Sequence, residues 1–161
     1  MKVFFDTSVL VAALVREHPR HERAFARLRA TLSGKDRMLT SAHNLAELYS
    51  VLTTLPVSPR IATGVAARLI RENVEAHAEL VTVSAAIYRE TIRHLAERGL
   101  AGGIVYDAIA CRAAAKAGSD PGTTRILRAF GGFLPGVHRR AGKRPRAVGR
   151  LHVLPNHPAR L

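Results

Sequence analysis

The sequence predicts an α/β domain whose sheet is mainly parallel. Short apolar runs that fit strands alternate with amphipathic helical stretches, and the connections between them are brief. The first run, Val3-Phe4-Phe5, has three consecutive apolar residues, which is typical of a strand buried on both faces. Asp6 follows this strand directly, at the edge of the sheet where open α/β folds bind their ligands.

The elements after this strand follow from periodicity and from breaking residues. We predict helices over 9–16 and 21–32, separated by His18-Pro19, and then a strand over 38–40. Ser41 can cap the next helix, because serine is a favoured N-cap residue. Leucines at three- and four-residue spacing give that helix a core-facing stripe. The stripe consists of Leu45, Leu48, Leu52 and Leu55.

The second half of the predicted domain continues the alternation. We expect a helix over 60–71, a β-branched strand over 80–83, and a helix over 85–98 that Ser84 caps and Gly99 ends. A last helix over 104–117 precedes Gly118, another expected stop. Its apolar side is predicted to consist of Ile104, Ala108, Cys111 and Ala115.

Composition indicates a soluble cytoplasmic protein. A chain of 161 residues can bury a core without disulfides or structural metal. Its one cysteine, Cys111, excludes an internal disulfide, agrees with a reducing compartment, and is best explained by buried packing. We find no secretory signal at the N-terminus and no apolar run near the roughly 20 residues needed to span a bilayer, so no membrane association is expected.

The net charge of +13 is concentrated at the C-terminus. Residues 1–120 carry 16 basic residues against all 12 acidic ones, whereas residues 121–161 carry 9 basic residues and no acid. We therefore assign residues 1–130 to the domain and residues 131–161 to a basic segment, either irregular or an edge strand of the same domain. A basic surface attracts phosphate backbones, but a shifted reading frame of GC-rich DNA would also produce such a tail.

Three acids stand where an active site could form. Asp6 follows a strand, Glu47 borders the leucine stripe of a helix, and Asp107 lies in the first turn of the last helix. Each acid also has a purely structural explanation. Asp6 could cap a helix, Glu47 could reach solvent at the edge of the core, and Asp107 could interact with a helix dipole. Only their convergence would make them a site.

The sequences around these acids resemble the PIN-domain ribonucleases, in particular the VapC-type toxins of bacterial toxin–antitoxin pairs. The matching segments run over residues 5–10, 44–49 and 103–110, in the same order and spacing. The resemblance implies a PIN-like α/β/α sandwich and an RNA-cleaving activity. It implies that Asp6, Glu47 and Asp107 are catalytic and hold Mg²⁺, or else Mn²⁺, with Thr7 or Ser8 steadying them by hydrogen bonds. It also implies a cognate antitoxin and a homodimer built on the early helices. Leu28 and Leu52 could supply the apolar surface of such a dimer, although the sequence alone does not separate an interface from the core.

The chain departs from the family's pattern after Asp120, which we interpret as a turn residue. Thr124 is followed two positions later by Ile126, where the family usually has an Asp or Asn that completes the acidic site. This departure keeps open the alternative of a PIN-like protein that binds RNA or a partner without cleaving it. A separate alternative is a structure-specific DNA nuclease.

Three further side chains are candidates near the site. Arg112 and Lys116 follow Asp107 on the last helix and could contact RNA phosphates, although a solvated helix face is the usual role of such residues. His43 lies four residues before Glu47, one helical turn away, and could approach the acids.

Overall fold

The computed structural model describes residues 1–118 of the chain. Within these residues, three parallel strands form a sheet: β1 (Lys2–Phe4), β2 (Arg37–Ser41) and β3 (Ala78–Val81), in the order β1-β2-β3. Phe4 pairs with Leu39 between β1 and β2, and Leu39 pairs with Glu79 between β2 and β3. The predicted α/β class with a parallel sheet is confirmed.

Six α-helices accompany the sheet in the described part of the chain. They are α1 (Thr7–Leu14), α2 (His21–Ser33), α3 (Ala42–Thr54), α4 (Thr63–Ile70), α5 (Ala85–Glu97) and α6 (Ile104–Lys116). A π-helical turn, Arg71–Glu75, continues α4 toward β3. Every residue of α1 is buried, which agrees with its position directly after the central apolar run.

The core lies on both faces of the sheet, because successive side chains of a strand point to opposite sides. Val3 and Phe5 pack with α1, α2 and α3 on one face. Phe4 packs on the other face with Leu39 and with alanines of α6. Helices on both faces give the α/β/α layering that the sequence predicted.

The predicted caps are mostly confirmed. Ser41 Oγ accepts a hydrogen bond from Asn44 N at 3.1 Å at the start of α3. Gly99 and Gly118 both adopt φ of +64°, the left-handed conformation that favours glycine after a helix. Ser84 precedes α5 as predicted, but its side chain makes no capping bond, so that part of the prediction is wrong. Its backbone carbonyl accepts from Ile87 N at 3.0 Å instead.

Two element boundaries differ from the prediction. β3 occupies Ala78–Val81 rather than 80–83, since hydrogen bonding to β2 decides its position and β-branched residues only favour it. α4 begins at Thr63 rather than at residue 60, and Ile61 is buried in the chain segment before it.

Two packing predictions for α6 are wrong, and the structure decides between the interface and the core for Leu28 and Leu52. The buried residues of α6 are Ile109, Ala110, Ala113 and Ala114, whereas Cys111 is exposed and Ile104 is 38% exposed. An alanine-rich helix carries apolar residues on several sides, so its pattern does not select one face. Leu28 and Leu52 are both 0% exposed in the core of a single chain and cannot supply a dimer surface.

Within residues 1–118, no helix is both long and apolar enough to cross a membrane. The predictions for Asp120 and Ile126, the domain boundary at residue 130 and the basic segment 131–161 lie outside the described residues.

A candidate acidic active site

Asp6 lies at the junction between the sheet and α1. Phe5 N donates to Leu39 O at 2.8 Å, so the chain stays in the sheet up to the residue before Asp6. Asp6 Oδ2 accepts from Ser8 Oγ at 2.8 Å, whereas Ser8 N is 3.4 Å away, longer than an ordinary capping bond. The shorter hydrogen bond of the Asp6 carboxylate therefore comes from the Ser8 hydroxyl and not from the backbone N–H that an N-cap residue would bind.

Asn44 is a site residue whose contact with Asp6 was not predicted from the sequence. It is 0% exposed, and its Nδ2 lies 3.4 Å from both Asp6 Oδ1 and Phe5 O. Ser41 Oγ donates to Asn44 Oδ1 at 2.7 Å, which orients the amide toward Asp6. The three-residue spacing of Ser41, Asn44 and Glu47 was the available signal, because positions three apart share a helix face.

Glu47 is held next to α1 by Thr7. Thr7 Oγ1 donates to Glu47 Oε2 at 2.7 Å across 40 residues of sequence. Burial raises the pKa of Glu47, the Thr7 hydrogen bond partly opposes the rise, and the charge of Asp6 adds to it. The two hydroxyls after Asp6 thus contact two different acids, Ser8 the carboxylate of Asp6 and Thr7 that of Glu47.

Asp107 brings α6 into the same electrostatic environment. Burial raises its pKa to about 6, and the charges of Asp6 and Glu47 contribute to the rise. Like charges act in this way only when they are near one another. The three acids come from β1–α1, α3 and α6, and together they form what we call the acidic site: Asp6, Glu47 and Asp107.

The donor chemistry of the acidic site fits a hard divalent cation. Carboxylate oxygens are the ligands that Mg²⁺ prefers, and a cation between them would relieve their mutual repulsion. Within residues 1–118, no three His, Cys, Asp or Glu side chains are gathered closely enough to form a ready-made metal centre. Glu47 Oε2 is instead engaged by the Thr7 hydroxyl.

The raised pKa of Asp107 predicts that Asp107→Asn stabilises the metal-free protein at neutral pH. The folded state holds the proton of Asp107 up to about pH 6, whereas the unfolded chain releases it near the ordinary aspartate pKa of 3.8. Folding stability from this group is therefore complete below about pH 4 and is lost as the pH rises through 6. After discounting for partial exposure we expect a gain of about 1 kcal/mol at pH 7, or about 4 °C in Tm.

Thermal unfolding in chelator at pH 7 and pH 4.5 measures this gain. The gain in Tm should be smaller at pH 4.5 than at pH 7. Glu97→Gln removes an exposed acid at the end of α5 and should leave Tm unchanged at both values. A Tm for Asp107→Asn equal to that of the wild type at pH 7 would contradict the raised pKa of Asp107.

His43 lies one helical turn before Glu47 and joins two tyrosines. Its ring stacks on Tyr106 with centroids 5.4 Å apart and an interplanar angle of 25°. Its Nδ1 lies 3.1 Å from the Tyr88 hydroxyl. Burial lowers the pKa of His43, and the charge of Asp6 partly opposes this, so His43 is within electrostatic range of the acidic site. Its Nε2 is buried and has no hydrogen-bond partner among the described residues.

The two basic candidates on α6 have protein partners. Arg112 Nη1 lies 2.8 Å from Glu90 Oε1, and Lys116 Nζ donates to Thr82 O at 3.0 Å. These contacts link α6 to α5 and to the segment after β3. A role for Arg112 and Lys116 in RNA binding stays a prediction.

The comparisons with known proteins agree on one family. The model of the PIN domain matches residues 3–120. Ribonuclease VapC27 from Mycobacterium tuberculosis is 40% identical over 114 residues, which are 69% of this chain and 75% of that protein. Ribonuclease VapC40 from the same species is 40% identical over 124 residues, 77% of this chain and 86% of that protein.

A solved structure has the same fold. The crystal structure of VapBC2 from Rickettsia felis bound to a DNA fragment from their promoter aligns with a TM-score of 0.51. The alignment covers 74% of this chain and 84% of that chain at 19% identity. Because the identity is only 19%, this similarity supports the fold of the chain and nothing further.

Proposed function

This chain belongs to the PIN-domain family, and we propose that it is a VapC-type endoribonuclease, the toxin of a toxin–antitoxin pair. Its substrate is RNA, and its catalytic residues are Asp6, Glu47 and Asp107. The relatives named as ribonucleases, at 40% identity over most of their length, support this activity.

The observation that carries the proposal is the convergence of the acids: Thr7, the residue after Asp6, donates to Glu47 Oε2 at 2.7 Å, and Asp107 lies within the electrostatic range of both. Asp6, from the end of β1, and Glu47, from α3, together raise the pKa of Asp107 on α6, beyond the effect of its burial. Repulsion between like charges does not stabilise a fold. The grouping of these acids is therefore better explained by a function than by a structural role. The location at the carboxyl end of a parallel strand is also where α/β sheets bind ligands.

We propose that Asp6, Glu47 and Asp107 hold Mg²⁺ or Mn²⁺. Such an ion, when bound, lowers the pKa of a water molecule and stabilises negative charge on phosphoryl oxygens. Carboxylates supply the negative charge that retains the ion, and no side-chain nucleophile is needed.

The remaining residues of the site orient the acids. The Ser8 hydroxyl holds Oδ2 of Asp6, and the Asn44 amide lies beside Oδ1, so both oxygens have a polar neighbour. The Thr7 hydroxyl holds Glu47 near α1. Such supporting contacts fix the direction of a carboxylate before substrate arrives, which reduces the reorganisation needed during the reaction.

Incubating the full chain with end-labelled single-stranded RNA tests this function. We expect internal cleavage with Mg²⁺ or Mn²⁺, loss of cleavage with EDTA, and recovery when excess metal is restored. A flap DNA of related sequence, assayed in parallel, should stay intact. RNA that is bound but never cut would favour the alternative of a non-cleaving RNA-binding protein, and cleavage of the flap DNA alone would favour a DNA nuclease.

The proposed partners follow from the same function. We propose a cognate antitoxin that covers the acidic site, and a homodimer of this chain. The dimer surface must use residues other than Leu28 and Leu52, since both are buried within one chain. The proposed compartment is the cytoplasm, where RNA and a reduced Cys111 are both expected.

A further inference from the structure

Three rings from three helices meet beside the acidic site. His43 of α3 lies between Tyr88 of α5, at 5.9 Å and 62°, and Tyr106 of α6, at 5.4 Å and 25°. The Tyr88 ring meets His43 edge-on and bonds to its Nδ1, so this contact ties α5 to α3. The Tyr106 ring instead lies nearly parallel to His43.

Tyr106 remains 41% exposed although it takes part in this stack. His43 contacts the tyrosine ring from one side, and the exposed fraction of Tyr106 leaves part of its surface open to another ring. Tyr106 also directly precedes Asp107, and His43 directly precedes Asn44, which contacts Asp6. Both members of the stacked pair are therefore joined by one peptide bond to a residue of the acidic site or its support.

We propose that Tyr106, backed by His43, is a platform on which one unpaired nucleobase of the RNA stacks next to the acidic site. The proposal rests on the proposed ribonuclease function and names a base-binding position for it. Single-stranded RNA is commonly bound by stacking bases on aromatic side chains. Every base has a π-face, so such a platform binds without strict sequence preference and places the neighbouring phosphate near the acids.

His43 makes the platform rigid. Its Nδ1 is engaged by Tyr88, and its position in the first turn of α3 is fixed by a helix that packs in the core. A ring held from behind loses little conformational freedom when a base stacks on it, which favours binding. If the stack had only a structural role, the ring of Tyr106 would serve to join α6 to α3. An apolar side chain of similar size could then replace Tyr106 without changing RNA binding.

The test compares Tyr106→Phe and Tyr106→Leu with Tyr49→Leu as the matched control. Tyr49 is on α3 and is 40% exposed, almost the same as Tyr106. Fluorescence anisotropy with a labelled single-stranded RNA, in EDTA so that no cleavage is expected, reports affinity alone. Tyr106→Leu should weaken binding about 5- to 100-fold, and both Tyr106→Phe and Tyr49→Leu should bind as the wild type does.

A second measurement needs no substitution. A series of RNAs, each with one abasic ribose, should show a single position at which wild-type affinity falls by a similar factor, and Tyr106→Leu should not respond at that position. Equal affinities for Tyr106→Leu and Tyr49→Leu, or an abasic series with no sensitive position, would overturn the platform. RNA that binds with this pattern but is never cleaved would overturn the ribonuclease function and leave the platform standing.

Discussion

Asp6→Asn is expected to abolish RNA cleavage, lowering its rate by about 10³-fold or more. Loss of a contact that merely supports a metal-binding group typically costs 10- to 100-fold, and Asp6 is proposed to hold the ion itself. Asparagine removes the negative charge but keeps the size of the side chain. It is also as good an N-cap as aspartate, so α1 and the fold should be preserved. Cleavage rates at saturating Mg²⁺, together with Tm, measure both effects.

Glu79→Gln is the control for this experiment. Glu79 is an exposed acid on β3 that pairs with Arg37, and it does not belong to the acidic site. Its substitution removes the same charge from the protein and should leave cleavage unchanged. Residual activity of Asp6→Asn near that of the wild type would remove Asp6 from the catalytic residues and would undermine the proposed metal site.

Leu52→Ala is expected to destabilise the fold by about 2–5 kcal/mol, because it empties a fully buried position between α3 and its neighbours. The loss should not depend on protein concentration, since Leu52 lies in the core of one chain. Chemical unfolding at two protein concentrations differing tenfold measures both properties. A destabilisation of this size can lower Tm by more than about 10 °C.

Ile92→Ala provides the matched comparison on α5. Ile92 is 56% exposed, so its truncation should change the free energy of unfolding by no more than about 0.5 kcal/mol. If Leu52→Ala instead left stability intact and shifted a dimer toward monomers, the assignment of Leu52 to the core would be refuted.

The order of strands and helices was largely determined by the sequence. Apolar runs, leucine spacing, Ser41 and the glycines at 99 and 118 act over a few residues, so their effects can be predicted locally. The three acids were selected by the resemblance of their surrounding sequences to the PIN-domain family, because the position of each acid alone also has a structural explanation. Two features could not be predicted from the sequence. The position of β3 is decided by its pairing with β2, and the buried face of α6 is decided by its packing against Phe4.

The site itself depends on contacts that join distant parts of the chain. Thr7 reaches Glu47 across 40 residues, and His43 meets Tyr88 across 45. Neither pairing follows from spacing along the sequence. Parallel strands joined by helices bring their carboxyl ends to one edge of the sheet, and this arrangement determines which hydroxyl contacts which acid. The sequence by itself therefore determined the kinds of side chain available for chemistry. The tertiary structure determined their partners, because only folding brings those residues within hydrogen-bonding distance.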